Sequence, residues 1–474
     1  MKTSKYKNLI KNLLLFCISN LIPKLLAFIL IPIYTYYLTT AEYGRIDLVS
    51  TTIMLLTPII SLNISDALLR FLLDKEYKHK DVFSIAIHIF IYDILIDIFL
   101  LIILLIFNPF KISIIYYLYF SIYLLVNILY SILCIFLKGI ENIKVMVRGS
   151  VINSFLTFVF MILLLCLFHT GINGYMFGSL VGMVLSICYM CIKSNLKKYI
   201  SFKIDKSILK KMIIYSFPMI FSAIAWWINN SSDRYILVIL AGVSVSGVYA
   251  VSSKIPGILK TFQNIFLQAW SISAIKEFDK EDKDGFIGNM YSIMNFLMIF
   301  VCSILILFNL LISKILYSKD FFIAWQFVPP LLVSVVFDSL ALFLGSIYYA
   351  AKDTKTLSIA NIIGAIFNVV FNLILISKYG AYGASIATLL SYFITFVICI
   401  VCIRKHIIMK TNYLKNNLGY ILIITQMIAA YFGNKYIFIQ VIILFMIIII
   451  NSKNINDFLK LIVKKIKERK LKKL

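Results

Sequence analysis

Acidic side chains are scarce in this sequence. It holds 21 Asp and Glu against 46 Lys and Arg, a formal net charge of +25. Histidine is rarer still, at four residues, and no H-E-x-x-H or comparable ligand cluster occurs, so no metal site is expected. There is no G-x-x-x-x-G-K-[ST] sequence either, so the chain does not itself use a nucleotide through a P-loop. Long polar connections are also missing. The longest, 194–210, is a basic stretch too short to fold as an extramembrane domain. With none of these devices present, no enzyme, catalytic residue or cofactor is expected. The eight cysteines lie scattered through apolar segments. Two pairs have C-x-x-C spacing, Cys188/Cys191 and Cys399/Cys402, but both sit inside hydrophobic stretches with no histidine nearby. They read as small apolar fillers rather than redox or zinc motifs.

What fills the chain instead is hydrocarbon. Hydrophobic residues make up 62% of it, with a mean hydropathy of +0.96, far above the roughly 45–50% apolar share of soluble domains. Apolar runs long enough to cross a bilayer recur from end to end. The runs are continuous rather than alternating, which excludes a β-barrel. The expected fold is therefore an all-α integral membrane protein of about 14 transmembrane helices. Their approximate limits are 11–38, 43–69, 82–107, 112–137, 145–168, 172–193, 211–239, 244–274, 286–312, 322–350, 356–376, 381–403, 416–432 and 436–451. No cleavable signal is expected, because the first span is too long and lacks a small-residue cleavage site.

Orientation follows from the basic residues. With the N-terminus inside, Lys and Arg crowd the inner segments 2–11, 70–80, 138–148, 193–211, 276–283, 352–355, 404–415 and 453–474. The outer segments hold only Arg45, Lys111, Lys314, Lys319, Lys378 and Lys435. The positive-inside rule then makes both termini cytoplasmic and accounts for the net charge without a nucleic-acid partner. The tail KLIVKKIKERKLKKL, 460–474, reads as a surface helix on an anionic leaflet.

The two halves echo one another. KGIENIK, an apolar helix, the outer turn HTGING ending at Gly174 and a helix closing on Cys188/Cys191 are matched by AAKDTKT, a helix, SKYGAYG ending at Gly383 and a helix closing on Cys399/Cys402. Likewise LTTAEYGRIDLVS after span one is echoed by LAGVSVSGVYAVSS after span seven, with Gly44 against Gly247. Both halves start inside, which implies a parallel pseudo-repeat. The expected organisation is two six-helix lobes, 1–200 and 201–405, two additional helices in 406–452, and the basic tail 453–474.

Four cations remain inside spans: Lys24, Arg234, Lys254 and Lys260. A charge at the bilayer centre costs about 2.5–3.5 kcal/mol on insertion scales, so each needs a reason. Lys24 lies near the midplane of span one, while Arg234 and Lys254 lie on the outer half of spans seven and eight. Facing one cavity, they would attract an anion, and phosphate matches Arg and Lys together. The competing reading is local pairing, with Asp233 for Arg234 or Asp47 for a neighbouring span. Lys260 leans toward pairing. Asp93 and Asp97, four apart in span three, share one helix face and are candidates for coupling a proton or sodium ion; partnership with a basic residue is the alternative. Asp338 is a lone acid of the same kind. His88 and His169 have no cluster around them and read as structural. Asp66 and Arg70, i and i+4 at the inner end of span two, could form an inner gate or a plain surface pair.

These residues also carry a family resemblance. Asn20/Lys24 in span one, Tyr34/Leu38/Thr39/Glu42/Tyr43/Gly44 after it, Asp66/Ala67/Arg70/Phe71 closing span two, Asp233/Arg234/Tyr235, and Gly247/Tyr249/Lys254/Pro256 appear in an order that resembles the Wzx-type polysaccharide flippases. These belong to the multidrug/oligosaccharidyl-lipid/polysaccharide exporter superfamily. The resemblance covers spans one to twelve. It implies a two-lobed, alternating-access exporter of the bacterial inner membrane that flips a polyprenyl-diphosphate-linked oligosaccharide for O-antigen, capsule or related polymer assembly. Lys24, Arg234 and Lys254 would hold the diphosphate. Partners would be that lipid-linked oligosaccharide, membrane lipids, and a polysaccharide polymerase with its chain-length machinery. A peptidoglycan-precursor flippase is the alternative within the architecture. A multidrug/cation antiporter calls for an acid-lined cavity, and a glycan polymerase or ligase calls for a large outer loop.

Overall fold

A computed structural model describes residues 21–451, apart from Lys75, 109–112 and Phe202. Asn20, Cys17, the first half of span one, Lys75, Lys111 and the amphipathic tail therefore lie outside the described residues. Within them the chain is helical, with no β-strand. In chain order the helices are α1 (Leu21–Tyr37), α2 (Thr40–Ile60), α3 (Ile64–Leu72), α4 (His79–Phe107), α5 (Ile114–Gly139), α6 (Ile143–Ile162), α7 (Ile172–Ser194) and α8 (Lys206–Ala241). They continue with α9 (Val243–Ser252), α10 (Lys254–Lys276), α11 (Phe286–Leu307), α12 (Asn309–Leu316), α13 (Val328–Ala350), α14 (Thr354–Cys402), α15 (Tyr413–Tyr431) and α16 (Ile437–Ile450).

The all-α membrane class stands as expected, while the span count follows different breaks. Among the described residues, eight helices are long and apolar enough to cross a membrane, or nine if the bent pair α2–α3 forms one span. Several expected spans are divided. The eighth is interrupted between α9 and α10, and the second bends by 58° between α2 and α3. Leu62 and Asn63 cause that bend by taking left-handed backbone angles just beyond Pro58. Conversely, spans eleven and twelve run together in α14, broken only at Gly380.

The chain divides into two compact units after Ser231. This is later than the basic connector 194–210 where composition suggested a boundary. The first half of α8 explains the difference: Met212 is buried in the N-terminal core with Ile208 and Leu209 packed against it, and the Trp227 indole donates to the Thr51 carbonyl of α2 at 2.8 Å. The N-terminal core itself centres on Phe83 and Phe136, whose rings lie 4.0 Å apart, with Leu68, Leu133 and Leu137 around them.

In the C-terminal unit, α13 is buried along nearly its whole length and packs against α10, α11, α14 and α15. Trp270 of α10 stacks on Phe343 of α13 at 4.2 Å. Of the two helices beyond the repeat, α15 joins this unit through a polar seam with α11: Tyr291 and Tyr420 hydroxyls 3.1 Å apart, Asn295 donating to Asn416, and Gln426 donating to the Ser303 carbonyl. In hydrocarbon such side-chain pairs serve as the specific glue that apolar contacts alone do not provide.

The internal repeat is visible in the turns. The α6–α7 hairpin reverses at Gly171 with φ 58° and ψ −136°, and α14 reverses at Gly380 with φ 55° and ψ −134°. Only glycine takes this conformation readily. Small residues then let the paired helices close. A Cβ on Gly182 would lie 2.2 Å from Thr157 Oγ1, and one on Gly383 would lie 2.1 Å from the Leu375 carbonyl.

Candidate functional site

Asp233 and Arg234 lie near the C-terminal end of α8. Arg234 Nη1 is 3.3 Å from Asp233 Oδ1, and their side chains are 14% and 10% exposed. The tertiary fold adds a third member. The Tyr249 hydroxyl, on α9, donates to Asp233 Oδ2 at 2.6 Å and lies 3.4 Å from Thr388 Oγ1 of α14. The Arg234 guanidinium stands over the Tyr249 ring, 5.9 Å from its centroid. Asp233 is thus held from two sides, and the local pairing weighed for Arg234 is made.

Lys254 is half-buried and occupies the first position of α10, just past the break at Ser253. A cation at a helix N-terminus opposes the helix dipole, so this placement adds to the cost of its charge. Further along α10, Gln263 donates to Asp338 Oδ2 of α13 at 3.0 Å. Asp338 is therefore met by a neutral amide, and Lys260 is half-buried on the same helix as Gln263.

In the N-terminal unit, Lys24 is on an exposed face of α1. Asp93 and Asp97 are both inside the protein, at 1% and 2% exposure. Ser121 of α5 donates to Asp97 Oδ2, so the shared acidic face of α4 turns toward α5. Asp93 Oδ2 has no hydrogen-bond partner among the described residues. His88 Nδ1 is 2.7 Å from the Ser84 carbonyl, a local contact within α4. The ring of His169 lies 5.7 Å from that of Tyr37.

Asp66 and Arg70 take other partners than each other. Asn63 donates to Asp66 at 2.8 Å, while Arg70 reaches Asp74 at 3.8 Å with its side chain 58% exposed. The i, i+4 ion pair on α3 is shifted one turn toward the helix end. Among the described residues no group of three or more His, Cys, Asp or Glu is arranged to hold a metal ion.

Tyr249 stands among the motif residues Gly247/Tyr249/Lys254/Pro256, but nothing in the sequence marks it as a partner of Asp233. Sixteen residues and a helix break separate the two, and only packing brings them together. Thr388 carried no sequence signal.

Residues 9–272, more than half of the chain, match the family described as polysaccharide biosynthesis protein. The chain belongs to that family. No curated protein sequence matches it. Among solved structures, this family member is similar to the lipid II flippase MurJ in an inward closed conformation, with a TM-score of 0.72 and 17% identity over 94% of this chain and 100% of that one. It is also similar to a multidrug resistance MATE family transporter of the MOP superfamily in its inward-facing conformation, at TM-score 0.60 and 14% identity over 88% and 96% of the two chains. The outward-facing conformation of such a MATE transporter follows at TM-score 0.55 and 16% identity, over 86% and 94%. At these identities the likeness is one of fold. It agrees with the order of motifs that pointed to the same superfamily.

Proposed function

We propose that the protein is a flippase that moves a polyprenyl-diphosphate-linked oligosaccharide across a bacterial inner membrane by alternating access, for assembly of O-antigen, capsule or a related polysaccharide. The observation that carries the reading is the set of intramembrane cations Lys24, Arg234 and Lys254 in a polysaccharide biosynthesis family member. Charges inside apolar helices are costly, and the diphosphate of a lipid-linked sugar is an anion that Lys and Arg bind together. Arg234 meets Asp233, yet a guanidinium has five donors and can keep one on a carboxylate while others engage an oxyanion. Both termini would be cytoplasmic, and the flipped product would pass to a polymerase and its chain-length machinery. Asp66 and Arg70 would act as an inner gate by exchanging their present partners.

Asp93 and Asp97 are the proposed coupling site for a proton or sodium ion. Two carboxylates buried one turn apart in hydrocarbon are costly unless neutralised by a proton or a cation.

The test is reconstitution into liposomes with a lipid-diphosphate oligosaccharide, comparing wild type with Lys24→Ala and Arg234→Ala. Loss of flipping in both variants is the expected result. Unchanged rates in both would refute the diphosphate assignment. Faster flipping of a peptidoglycan precursor than of other lipid-linked glycans would favour the alternative substrate. Extrusion of an organic cation without any lipid flipping would favour an antiporter.

A further inference from the structure

The diphosphate is common to all such substrates, so recognition of the sugar needs a separate surface. The segment of α8 from Phe217 to Ser232 contains no charged residue and reads FPMIFSAIAWWINNSS. Within it, Trp226 is 56% exposed. Counting from Lys206 and from Ala241, Trp226 lies roughly 30 Å and 22 Å along the helix at 1.5 Å per residue. That puts an exposed indole in the middle of the bilayer, whereas membrane tryptophans concentrate in the interfacial belts.

The rotation of α8 is set by its neighbour. Trp227 donates to the Thr51 carbonyl at 2.8 Å, which turns that indole onto α2. Trp226, about 100° around the helix, is turned away. Asn229 and Asn230 stand one turn further, so the three form one patch. The Asn229 and Asn230 amides donate back to the carbonyls of Ala225 and Trp226 at 3.3 and 2.9 Å. The Asn229 Oδ1 atom accepts from no described residue. One turn below, the exposed Ser222 hydroxyl has no partner among the described residues. Serines elsewhere in the spans commonly bond the carbonyl one turn back, as Ser50, Ser154 and Ser292 do. Open hydroxyl and amide groups beside an exposed indole are poorly suited to lipid tails, which can satisfy none of them.

We infer that Trp226, Asn229 and Ser222 form a neutral carbohydrate-binding subsite on α8, taking the sugar of the lipid-linked substrate. The face of a pyranose is lined with C–H groups that pack on an aromatic ring, whose electron-rich face attracts them. The hydroxyls around the ring edge pair with amide and hydroxyl groups. The absence of charge suits a neutral glycan rather than the diphosphate. This subsite rests on the flippase reading and gives that reading its source of sugar selectivity.

The experiment compares two lipids in the same proteoliposomes, a polyprenyl-diphosphate oligosaccharide and the sugar-free polyprenyl diphosphate. For Trp226→Ala the ratio of oligosaccharide to sugar-free flipping falls about tenfold, the factor for roughly 1.4 kcal/mol. Asn229→Leu lowers the same ratio, and Trp226→Phe restores most of it because an aromatic face is kept. A ratio unchanged in both Trp226→Ala and Asn229→Leu overturns the subsite, as does equal loss of both lipids, which marks a structural role. Wild-type protein that moves neither lipid overturns the flippase reading and the subsite with it.

Discussion

Tyr249 shows how much of a buried charge's environment a single residue can supply. Its hydroxyl donates to Asp233 at 2.6 Å while the ring lies under Arg234. Tyr249→Phe keeps the ring and removes the donor. A hydrogen bond to a charged group contributes about 1.5–3 kcal/mol, so thermal unfolding in detergent should show a lowered midpoint for this variant. Asp97 depends similarly on Ser121, whereas Asp93 has an oxygen without a described partner. Asp93→Asn keeps the shape and removes the ionisable group. The expected outcome is a folded protein whose flipping no longer responds to an imposed proton or sodium gradient. A response equal to wild type would remove Asp93 from coupling. At this scale the intramembrane charges were plain in the sequence, since a charge stands out in an apolar run. Their partners were not, because Tyr249, Thr388, Ser121 and Gln263 are ordinary residues until packing brings them to a carboxylate.

Among the elements, the two glycine-turned hairpins are the most constrained. Gly380 has φ 55° and ψ −134°, a region that costs other residues on the order of 1–3 kcal/mol. Gly380→Ala should therefore lower the unfolding midpoint although nothing crowds the position. Gly383→Ala acts through space instead, because its Cβ would strike the Leu375 carbonyl, and a comparable loss is expected. The start of α14 carries a pH-dependent element. Asp353 caps it by accepting from Thr356, and His406 Nε2 lies 2.7 Å from its other oxygen. The hydrogen bonds from Thr356, with help from His406, hold the Asp353 carboxyl below the ordinary range. A depressed value means that its contribution is present above the unfolded value near pH 3.9 and is lost as pH falls through the folded one. The difference in unfolding midpoint between wild type and Asp353→Asn should shrink as pH falls below about 4. Hairpin positions were legible from the Gly-rich turns HTGING and SKYGAYG. Pro58 gave a sign of the α2–α3 bend, but the α9–α10 break was not legible, because Ser253 sits in a run whose hydropathy does not change.

For the whole molecule, topology is the property to test. In a cysteine-free background, single cysteines at Lys319 and Lys378 should react with an impermeant thiol reagent in intact cells. Cysteines at Lys280 and Lys352 should react only after permeabilisation. The reverse pattern would invert the orientation argued from the basic loops. The sequence by itself determined the membrane class, the polysaccharide biosynthesis family and the glycine turns of the internal repeat. Hydropathy, loop charge and turn glycines are one-dimensional signals, and partition into a bilayer acts on them directly. Only the tertiary structure decided where the two units divide, which cations are met locally and which faces of α8 are open. These depend on helix rotation and packing. A rotation of about 100° between neighbouring residues separates Trp227, fixed on Thr51, from Trp226, left exposed.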